Sequence, residues 1–294
     1  MDFNELNLVE MDKGLSEQEK NEWQAIYASY RSGSILKGEV VGVDLHEFNV
    51  KPTGKKQEEK KVVRCLIIIP YRVKIIIPEN EVFISERSTG YHILHSMCGA
   101  NVSYVITHID RESGFAVASR KLALEKIQRA NIRRTPKVGS LIDVEVLAVG
   151  KNVCTVTYNG YDVTISQRDV SYLNTFDLHE VINPGEIRKA VLKEFNAEEN
   201  TLILSIKEAT PHPFDGIETR HPLGSTRIGI IVGKYGGGVY CKLHDNLTNV
   251  LCSYLSMHYD GDYRIGDSVE IVIKKYNYEK KLVYGKILRK IHKK

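Results

Sequence analysis

Gly33-Ser34, Gly139-Ser140 and Gly224-Ser225 each begin a segment of about 65 to 90 residues that contains several short runs typical of β-strands. Each segment also ends on a similar short strand. These ends are Ala118-Ser119-Arg120-Lys121, Leu204-Ser205-Ile206-Lys207 and Tyr284-Gly285-Lys286-Ile287. Recurrence of this kind indicates an array of small similar modules rather than one large domain. The chain, at 294 residues, is long enough for three of them.

The residues before the first repeat, 1–32, are predicted to form an acidic tail followed by a helix. Ser16 and Glu19 have the spacing of a capping box, in which each side chain accepts a hydrogen bond from the other's backbone N–H. Four apolar side chains then fall on one helical face: Trp23, Ile26, Tyr27 and Tyr30. We expect Gly33 to end the helix and the apolar face to pack on the first repeat; a partner-binding helix is the alternative.

Five short strands are predicted in each repeat. In the first repeat, 33–122, they lie at 35–43, 62–69, 73–77, 102–109 and 115–119. In the second, 139–208, they lie at 140–149, 152–158, 161–166, 186–195 and 201–207, with Asn159-Gly160 as a two-residue hairpin turn. In the third, 224–294, they lie at 225–234, 238–243, 248–253, 268–276 and 281–288, with a sharp bend at Gly236-Gly237-Gly238.

Three other segments stand out by composition. Lys51 to Lys61 is so highly charged that we expect a hairpin or loop tip that packs against nothing. Residues 123–138 predict a basic helical linker that ends at Pro136. Residues 209–223 contain three prolines and predict an extended, fairly stiff linker between domains.

A five-stranded sheet of about 70 residues cannot hide its edges unless it closes on itself. The prediction is therefore an all-β fold. It comprises three tandem five-stranded barrels of the oligonucleotide-binding (OB) type, with an N-terminal helix and a helical linker. A small immunoglobulin-like sandwich is the second alternative, but it would require about seven strands in each unit.

The order of elements in each repeat resembles the S1 domain, the RNA-binding repeat of the ribosomal protein S1 family. A unit of that family begins with Gly and has a second Gly and Val on its first strand. A Gly-aromatic second strand follows, the fourth strand starts after Gly-Asp, and the unit ends in Leu-Ser-hydrophobic-Lys. The first repeat offers Gly33, Gly38-Glu39-Val40, Pro78-Glu79-Asn80-Glu81 and Ser119-Arg120-Lys121. The second offers Val138-Gly139, Gly185-Glu186 and Leu204-Ser205-Ile206-Lys207. The third offers Gly224, Gly237-Gly238-Val239-Tyr240, Gly266-Asp267-Ser268-Val269 and Lys286-Ile287.

This resemblance covers residues 33–290, and the chain is similar to a three-repeat form of the family. The resemblance implies a non-catalytic protein that binds single-stranded RNA, such as mRNA, and acts in translation or RNA handling. It also implies association with the ribosome or a ribosomal protein.

The net charge of +4 is unevenly distributed along the chain. Residues 31–138 carry 19 basic and 11 acidic side chains, and residues 222–294 carry 13 and 6. Residues 139–208 carry only 6 basic against 11 acidic side chains. Basic surface attracts polyanions through counterion release. We therefore expect the first and third repeats to contact phosphates and the second to be a spacer or a protein-docking module.

The third repeat combines basic and aromatic side chains, as sequence-tolerant binding of single strands requires. Eight of the sixteen tyrosines lie between Tyr235 and Tyr284. Strand alternation over Val239 to Leu243 predicts that Tyr240 and Lys242 face outward together.

The resemblance assigns stacking to Tyr240, leaves Tyr235 as a substitute for the family's first aromatic, and puts Cys252 near a family histidine. The predicted nucleic-acid-binding residues are Lys234, Tyr235, Tyr240, Lys242, His244, Tyr254, Lys274, Lys275, Lys280 and Lys281.

Other chemistry is not favoured by the sequence. Gly229 to Lys234 resembles a phosphate-binding loop, but it has three residues between its glycines and lies within a strand. A metal site made of Cys241, His244, Cys252 and His258 would lack the usual zinc spacing. We therefore predict no enzyme activity, no metal and no cofactor. The five widely spaced cysteines predict reduced, mostly buried thiols. The chain also has no apolar run of about 18 residues and no signal-peptide pattern, so we expect a cytoplasmic location and no membrane partner.

Two functional alternatives remain open at this point. A protein-interaction scaffold, docking on the ribosome or an RNA-processing factor, would explain the acidic N-terminal helix and the acidic second repeat. A single-stranded DNA binder would use the same aromatic and basic residues, because nothing in the third repeat requires a 2′-hydroxyl.

Overall fold

A computed structural model describes residues 14–50, 59–70, 73–84, 91–131, 136–172, 177–196, 201–245, 247–254 and 260–291. These residues are mostly β structure and contain three five-stranded sheets, consistent with three OB-like folds. The chain divides into two compact units, residues 1–170 with 175–209, and residues 171–174 with 210–294. Within the described residues, no helix is both long and apolar enough to cross a membrane.

The first unit contains four α-helices and ten strands among its described residues. The helices are α1 (Glu17–Ser32), α2 (Tyr91–His95), α3 (Arg120–Asn131) and α4 (Gln167–Val170). The strands are β1 (Leu36–Val50), β2 (Glu59–Ile68), β3 (Lys74–Pro78), β4 (Asn101–Asp110), β5 (Phe115–Ser119), β6 (Leu141–Val149), β7 (Val153–Tyr158), β8 (Tyr161–Ser166), β9 (Ile187–Asn196) and β10 (Thr201–Ser205). Short 3-10 turns lie at Glu79–Glu81, Leu178–Glu180 and Lys207–Ala209.

The second unit contains one short helix and five strands among its described residues. These are α5 (Ile217–Arg220), β11 (Thr226–Tyr235), β12 (Gly238–Leu243), β13 (Asn249–Ser253), β14 (Ser268–Asn277) and β15 (Leu282–Ile291), with a 3-10 turn at Asp260–Asp262.

Helix α1 forms where the capping box and the apolar face predict it. The Ser16 side chain accepts from the Glu19 N–H, the Glu19 carboxylate accepts from the Ser16 N–H, and Gly33 ends the helix in the left-handed region at φ 64°. Trp23, Ile26 and Tyr27 are buried in the core of the first sheet. The prediction that this helix packs on the first repeat is confirmed.

The strand pairings of the first sheet run β1-β2-β3-β5-β4 and return to β1, and those of the third run β11-β12-β13-β15-β14 and return to β11. In each, a parallel pair joins the third strand of the repeat to the fifth. Strand β1 is longer than predicted, and its pairing with β2 continues to Val50 opposite Glu59. The predicted charged loop, Lys51 to Lys61, therefore includes three residues of a strand, Glu59 to Lys61, since polar residues can continue a ladder into solvent. Residues 51–58 lie outside the described residues.

One loop geometry recurs in all three repeats and explains their similar glycines. A glycine before the fourth strand of each repeat adopts positive φ, and its N–H donates a 2.8 Å hydrogen bond to a carbonyl of the first strand. At the same place the first strand has a β-bulge. The glycine and acceptor pairs are Gly99 with Val40, Gly185 with Val146, and Gly266 with Ile231. The repeats therefore share a backbone architecture.

The second sheet departs from the predicted closed barrel. Its strand order is β10-β9-β6-β7-β8, with β8 and β10 at the two edges. After β10, the Ile206 N–H donates to the Asp169 carbonyl in α4 at 2.9 Å, so the chain bonds to that helix rather than to β8. The parallel pair that completes the ring in the other two sheets is thus absent from the described residues.

The first two sheets pack against each other within one unit. Gln128 of α3 donates to the Gly160 carbonyl in the β7–β8 turn at 2.9 Å. Leu147 and Ala148 of β6 join the core of the first sheet. Arg120, one of the basic residues of the repeat that was expected to contact phosphates, is only 1% exposed and binds residues of both sheets. A helix is present within the predicted linker as α3, but it spans Arg120–Asn131 and ends before Pro136; residues 132–135 lie outside the described residues.

The proline-containing segment 209–223 is not the extended linker that its composition predicts. Residues Ile217–Arg220 form α5, and Phe214 and Ile217 are buried in the core of the third sheet. The Phe214 ring also contacts Tyr276 and Tyr278 edge-on. Phe214 and Ile217 lie between Pro213 and Pro222, and their burial in this core favours a folded segment over the extended one that the prolines favour.

Candidate nucleic-acid interface

The outward face of β12 carries the aromatic and basic pair that alternation predicts. Val239, Cys241 and Leu243 point into the core and are at most 2% exposed. Tyr240 is 37% exposed, and Lys242 is partly exposed on the same side of the strand.

Tyr235 lies against Tyr240 across the β11–β12 hairpin. The register pairs Tyr235 with Gly238, so Gly236 and Gly237 form a two-residue turn. The two tyrosine rings are 5.1 Å apart at their centroids and inclined by 60°. Gly238 makes this possible because a Cβ atom there would lie 2.5 Å from Tyr235 Oη. Burial of the phenol raises the pKa of Tyr235.

A third tyrosine, Tyr284, extends this face and was not among the binding residues predicted from the sequence. Tyr240 pairs with Leu251 on β13, and Leu251 pairs in parallel with Tyr284 on β15. Neighbouring Val283 and Gly285 are buried, so alternation along β15 turns Tyr284 outward. That alternation is visible in the sequence, but the neighbourhood of β13 and β15 depends on a long-range parallel pairing. We call Tyr235, Tyr240, Leu251 and Tyr284 the aromatic row.

Three lysines border the aromatic row. Lys242 lies two residues beyond Tyr240 on β12, Lys275 pairs with Tyr284, and Lys286 pairs with Ser253. These three form no ion pair within the described residues, whereas Arg289 and Lys290 on the same unit are paired with Glu270 and Asp267. Lys275 was predicted from the sequence and Lys286 was not. The row therefore lies beside uncompensated positive charge.

Other predicted lysines lie at different places on the third sheet. Lys234 pairs with the inward-facing Val239, so the register puts it on the opposite side from Tyr240. Lys274 is exposed at a β-bulge of β14. Lys280 and Lys281 are exposed in the β14–β15 turn, which Asn277 holds by accepting from the Lys280 N–H at 3.0 Å. His244 is exposed just after β12.

Tyr254, one of the predicted binding residues, and Cys252, which was not predicted to bind, both lie in packed surroundings. Tyr254 stacks on the buried Tyr263 with centroids 5.3 Å apart, and its hydroxyl donates to the Gly238 carbonyl at 3.2 Å. Cys252, near the family's histidine position, is fully buried next to Cys241 and has no outward contact. Both residues therefore support the hairpin under the aromatic row rather than its surface.

Among the described residues, the second strand of neither of the first two repeats carries an outward pair of an aromatic and a basic side chain like Tyr240 and Lys242. On β7 the outward side chains include Val153 and Thr155, and none is aromatic. Phe48 lies on β1, where its ring and that of Phe115 contact His46. No group of three metal-binding side chains is found in the described part of the chain; His258 of the rejected metal site lies outside it.

Comparison with known proteins gives distant similarities, and no family model matches the chain. The chain is 23% identical over 245 residues to the small ribosomal subunit protein bS1 of Chlamydia muridarum, covering 81% of this chain and 39% of that protein. It is 21% identical over 300 residues to the 4-hydroxy-3-methylbut-2-enyl diphosphate reductase of Clostridium tetani, covering 92% of this chain and 47% of that protein. The chain spans less than half the length of these relatives.

A solved multidomain protein with nucleic acid binding domains from Streptococcus pneumoniae covers 87% of the chain at 11% identity, with a TM-score of 0.21, which is too low to establish a shared fold. The similarity to bS1 proteins recurs in other bacteria, including Neisseria meningitidis at 19% identity over 86% of this chain. The comparisons support a distant S1-like relationship.

Proposed function

We propose that this protein binds single-stranded RNA without catalysing a reaction, and that the aromatic row of the third sheet is its binding surface. The observation that carries the proposal is the contact of Tyr235 with Tyr240 beside Lys242, Lys275 and Lys286, which form no ion pair with any residue that the structure describes. Exposed rings accept bases by stacking, and neighbouring lysines bind the phosphates between them. The distant similarity to bS1 proteins supports RNA as the strand that is bound.

The expected mode of binding is sequence-tolerant and sensitive to salt. Every base has a π-face, so stacking on Tyr240 or Tyr284 discriminates little between bases. Each phosphate that a lysine neutralises contributes about −0.7 to the slope of log affinity against log salt for single strands. The proposed role is in translation or RNA handling. The bound strand would then be mRNA or another unstructured RNA, and the ribosome would be a partner; the distant similarity to bS1 proteins supports this part of the proposal.

A titration with fluorescent single-stranded RNA tests the proposal. The double variant Tyr240→Ala with Lys242→Ala should lose at least about tenfold in affinity, because one stacked base contributes about 1–3 kcal/mol and one phosphate contact is lost. Tyr240→Phe keeps the ring and should bind like the unaltered protein. Tyr278→Ala, at an exposed tyrosine that bonds Glu218 outside the row, is the matched control. Unchanged affinity in the double variant would refute the surface.

Competition between RNA and DNA oligomers of matched sequence determines the class of nucleic acid. Preference for RNA supports the proposal. Equal competition would make the row a general single-strand surface, and preference for DNA would contradict the proposed role.

A further inference from the structure

A cavity of about 250 Å³ adjoins the aromatic row on the third sheet. Its walls come from four places: Tyr172, the segment from His212 to Ile217 before the sheet, β12 and β13 with the turn between them, and the β14–β15 turn with the start of β15. Tyr240 belongs both to the cavity wall and to the aromatic row. A strand that follows the row therefore passes the mouth of this cavity.

The size and lining of the cavity suit one flat, partly polar group. Sites for drug-sized ligands occupy roughly 300–1,000 Å³, so this smaller space suits a fragment such as a single ring system. Apolar side chains of Pro213, Leu251 and Leu282 cover part of the wall. Apolar contact on the faces of a ring, with polar groups at its edge, is how proteins hold an unstacked base.

Asn249 supplies an unsatisfied polar atom to this wall. It pairs with Lys242 across the β12–β13 ladder. Its side-chain oxygen is shielded from solvent and has no hydrogen-bond partner within the described residues. Native structures contain few such atoms because leaving a buried acceptor unpaired costs free energy. Because no water-sized group reaches this oxygen in its present position, a base in the cavity would supply the missing partner once the Asn249 amide turns toward the cavity.

The β14–β15 turn brings two positive charges to the same cavity. Lys280 and Lys281 both line it and are exposed. Lys281 has φ 50°, an unusual left-handed conformation for a side chain other than Gly or Asn. Phosphate is the group in a nucleic acid that these charges attract.

We propose that the cavity holds one nucleobase of the bound RNA strand, turned out of the stack, with Asn249 reading its edge and Lys280 and Lys281 binding the adjoining phosphate. This inference rests on the proposed RNA-binding function and adds one base-selective position to an otherwise sequence-tolerant surface. The segment 209–223 is then a wall of the binding site, in addition to connecting two repeats.

The test compares the affinities of four fluorescent hexanucleotides, U6, C6, A6 and G6, each kept single-stranded in lithium buffer. Asn249→Leu keeps a similar volume and removes the amide. In this variant the ratio of the highest to the lowest of the four affinities should fall by at least about threefold. The variant should not destabilise the protein, because an unsatisfied polar atom is removed. Lys281→Asn tolerates the left-handed backbone and should weaken binding to all four by a similar factor.

The outcomes separate this inference from the function it rests on. If Tyr240→Ala weakens binding but Asn249→Leu leaves the spread of the four affinities unchanged, the cavity proposal is overturned and the aromatic row stands. If Tyr240→Ala has no effect while Asn249→Leu narrows the spread, the cavity is supported and the row is overturned. If the unaltered protein binds none of the four hexanucleotides, both are overturned.

Discussion

Arg120 makes two 2.7 Å hydrogen bonds to the two carboxylate oxygens of Asp162, joining the end of the first sheet to the β7–β8 hairpin of the second. The same guanidinium donates to the Val82 carbonyl at 2.8 Å and to Thr157 Oγ1 at 3.1 Å. Arg120 is 1% exposed, so the pair is buried. A bidentate pair of this kind fixes both distance and orientation. The first two repeats are therefore joined side by side within one compact unit, although the chain is built from repeats.

Removing Arg120 should destabilise the first unit strongly. Arg120→Met leaves the Asp162 carboxylate buried without its partner, and loss of one member of a buried pair costs about 3–5 kcal/mol. Denaturant unfolding followed by native-state hydrogen exchange should show this loss in β6 to β9. Arg129→Met is the control, since Arg129 is exposed and its pair with Glu125 is a surface pair worth at most about 1 kcal/mol. Equal stability of the two variants would contradict the account of the joint.

Gly285 should not tolerate a side chain. A Cβ atom there would lie 2.7 Å from Ile271 Cγ2 and 2.9 Å from Val250 Cγ1. Gly285→Ala is therefore expected to cost about 1–3 kcal/mol by overpacking, measured as a lower free energy of unfolding. Gly236→Ala is the matched control, because a Cβ at that position meets nothing within 4 Å. Ser119 and Ser205, which are also small and fully buried, lie near the ends of the last strands of the first two repeats. All three repeats thus have a small buried residue on the last strand.

Asp245 should make stability depend on pH in the acid range. Burial raises its pKa, but hydrogen bonds from Thr248, from His221 and from backbone N–H groups outweigh this and lower the pKa from 3.8 to about 2. A carboxyl whose folded pKa is depressed stabilises the folded state above its unfolded pKa and loses this contribution as pH falls through the folded value. The stabilisation should therefore fade between about pH 4 and pH 2.

The measurement for Asp245 is the difference in unfolding free energy between the unaltered protein and Asp245→Asn. We expect the part of this difference that depends on charge, about 1–2 kcal/mol after allowing for solvent screening, to be present at pH 5 and to shrink by pH 2. Asp143→Asn, at an exposed carboxylate of the second sheet, controls for general acid effects. A difference that stays constant from pH 5 to pH 2 would show that the hydrogen bonds do not depend on the charge.

The cysteines should differ sharply in reactivity. Cys98 is exposed, whereas Cys65, Cys154, Cys241 and Cys252 are buried. Burial raises the pKa of Cys65 and of Cys154 to about 12, which suppresses the thiolate that reacts. A thiol reagent should label one cysteine in the folded protein and five after unfolding, and Cys98→Ser should abolish the fast reaction. Rapid labelling of a second cysteine would show that one of the cores opens readily.

Local patterns predicted much of the fold. Ser16 with Glu19 gave the start of α1, and Asn159-Gly160 gave a turn in which both residues have positive φ. Alternation along Val239 to Leu243 gave the outward direction of Tyr240. These features depend on residues close in sequence, where period and turn chemistry decide the conformation.

Features that depend on distant partners were missed or mispredicted. Tyr284 joins Tyr240 only because β13 and β15 pair in parallel, which no local pattern reveals. Phe214 folds against the third core although its neighbours are prolines. In the part of the second sheet that the structure describes, β8 and β10 do not pair, and the chain after β10 bonds to α4. Arg120 was counted among the basic residues expected to contact phosphates, since its charge does not indicate that it will pair with Asp162 of the next repeat.

The central claim is that single-stranded RNA lies on the aromatic row of the third sheet, and photo-crosslinking tests it most directly. The full chain would be irradiated with an oligoribonucleotide that contains 4-thiouridine, and the crosslinked peptides identified by mass spectrometry. The account predicts crosslinks at Tyr235, Tyr240 or Tyr284, lost in Tyr240→Ala with Lys242→Ala. Crosslinks confined to residues 31–138, or unchanged in the double variant, would contradict it.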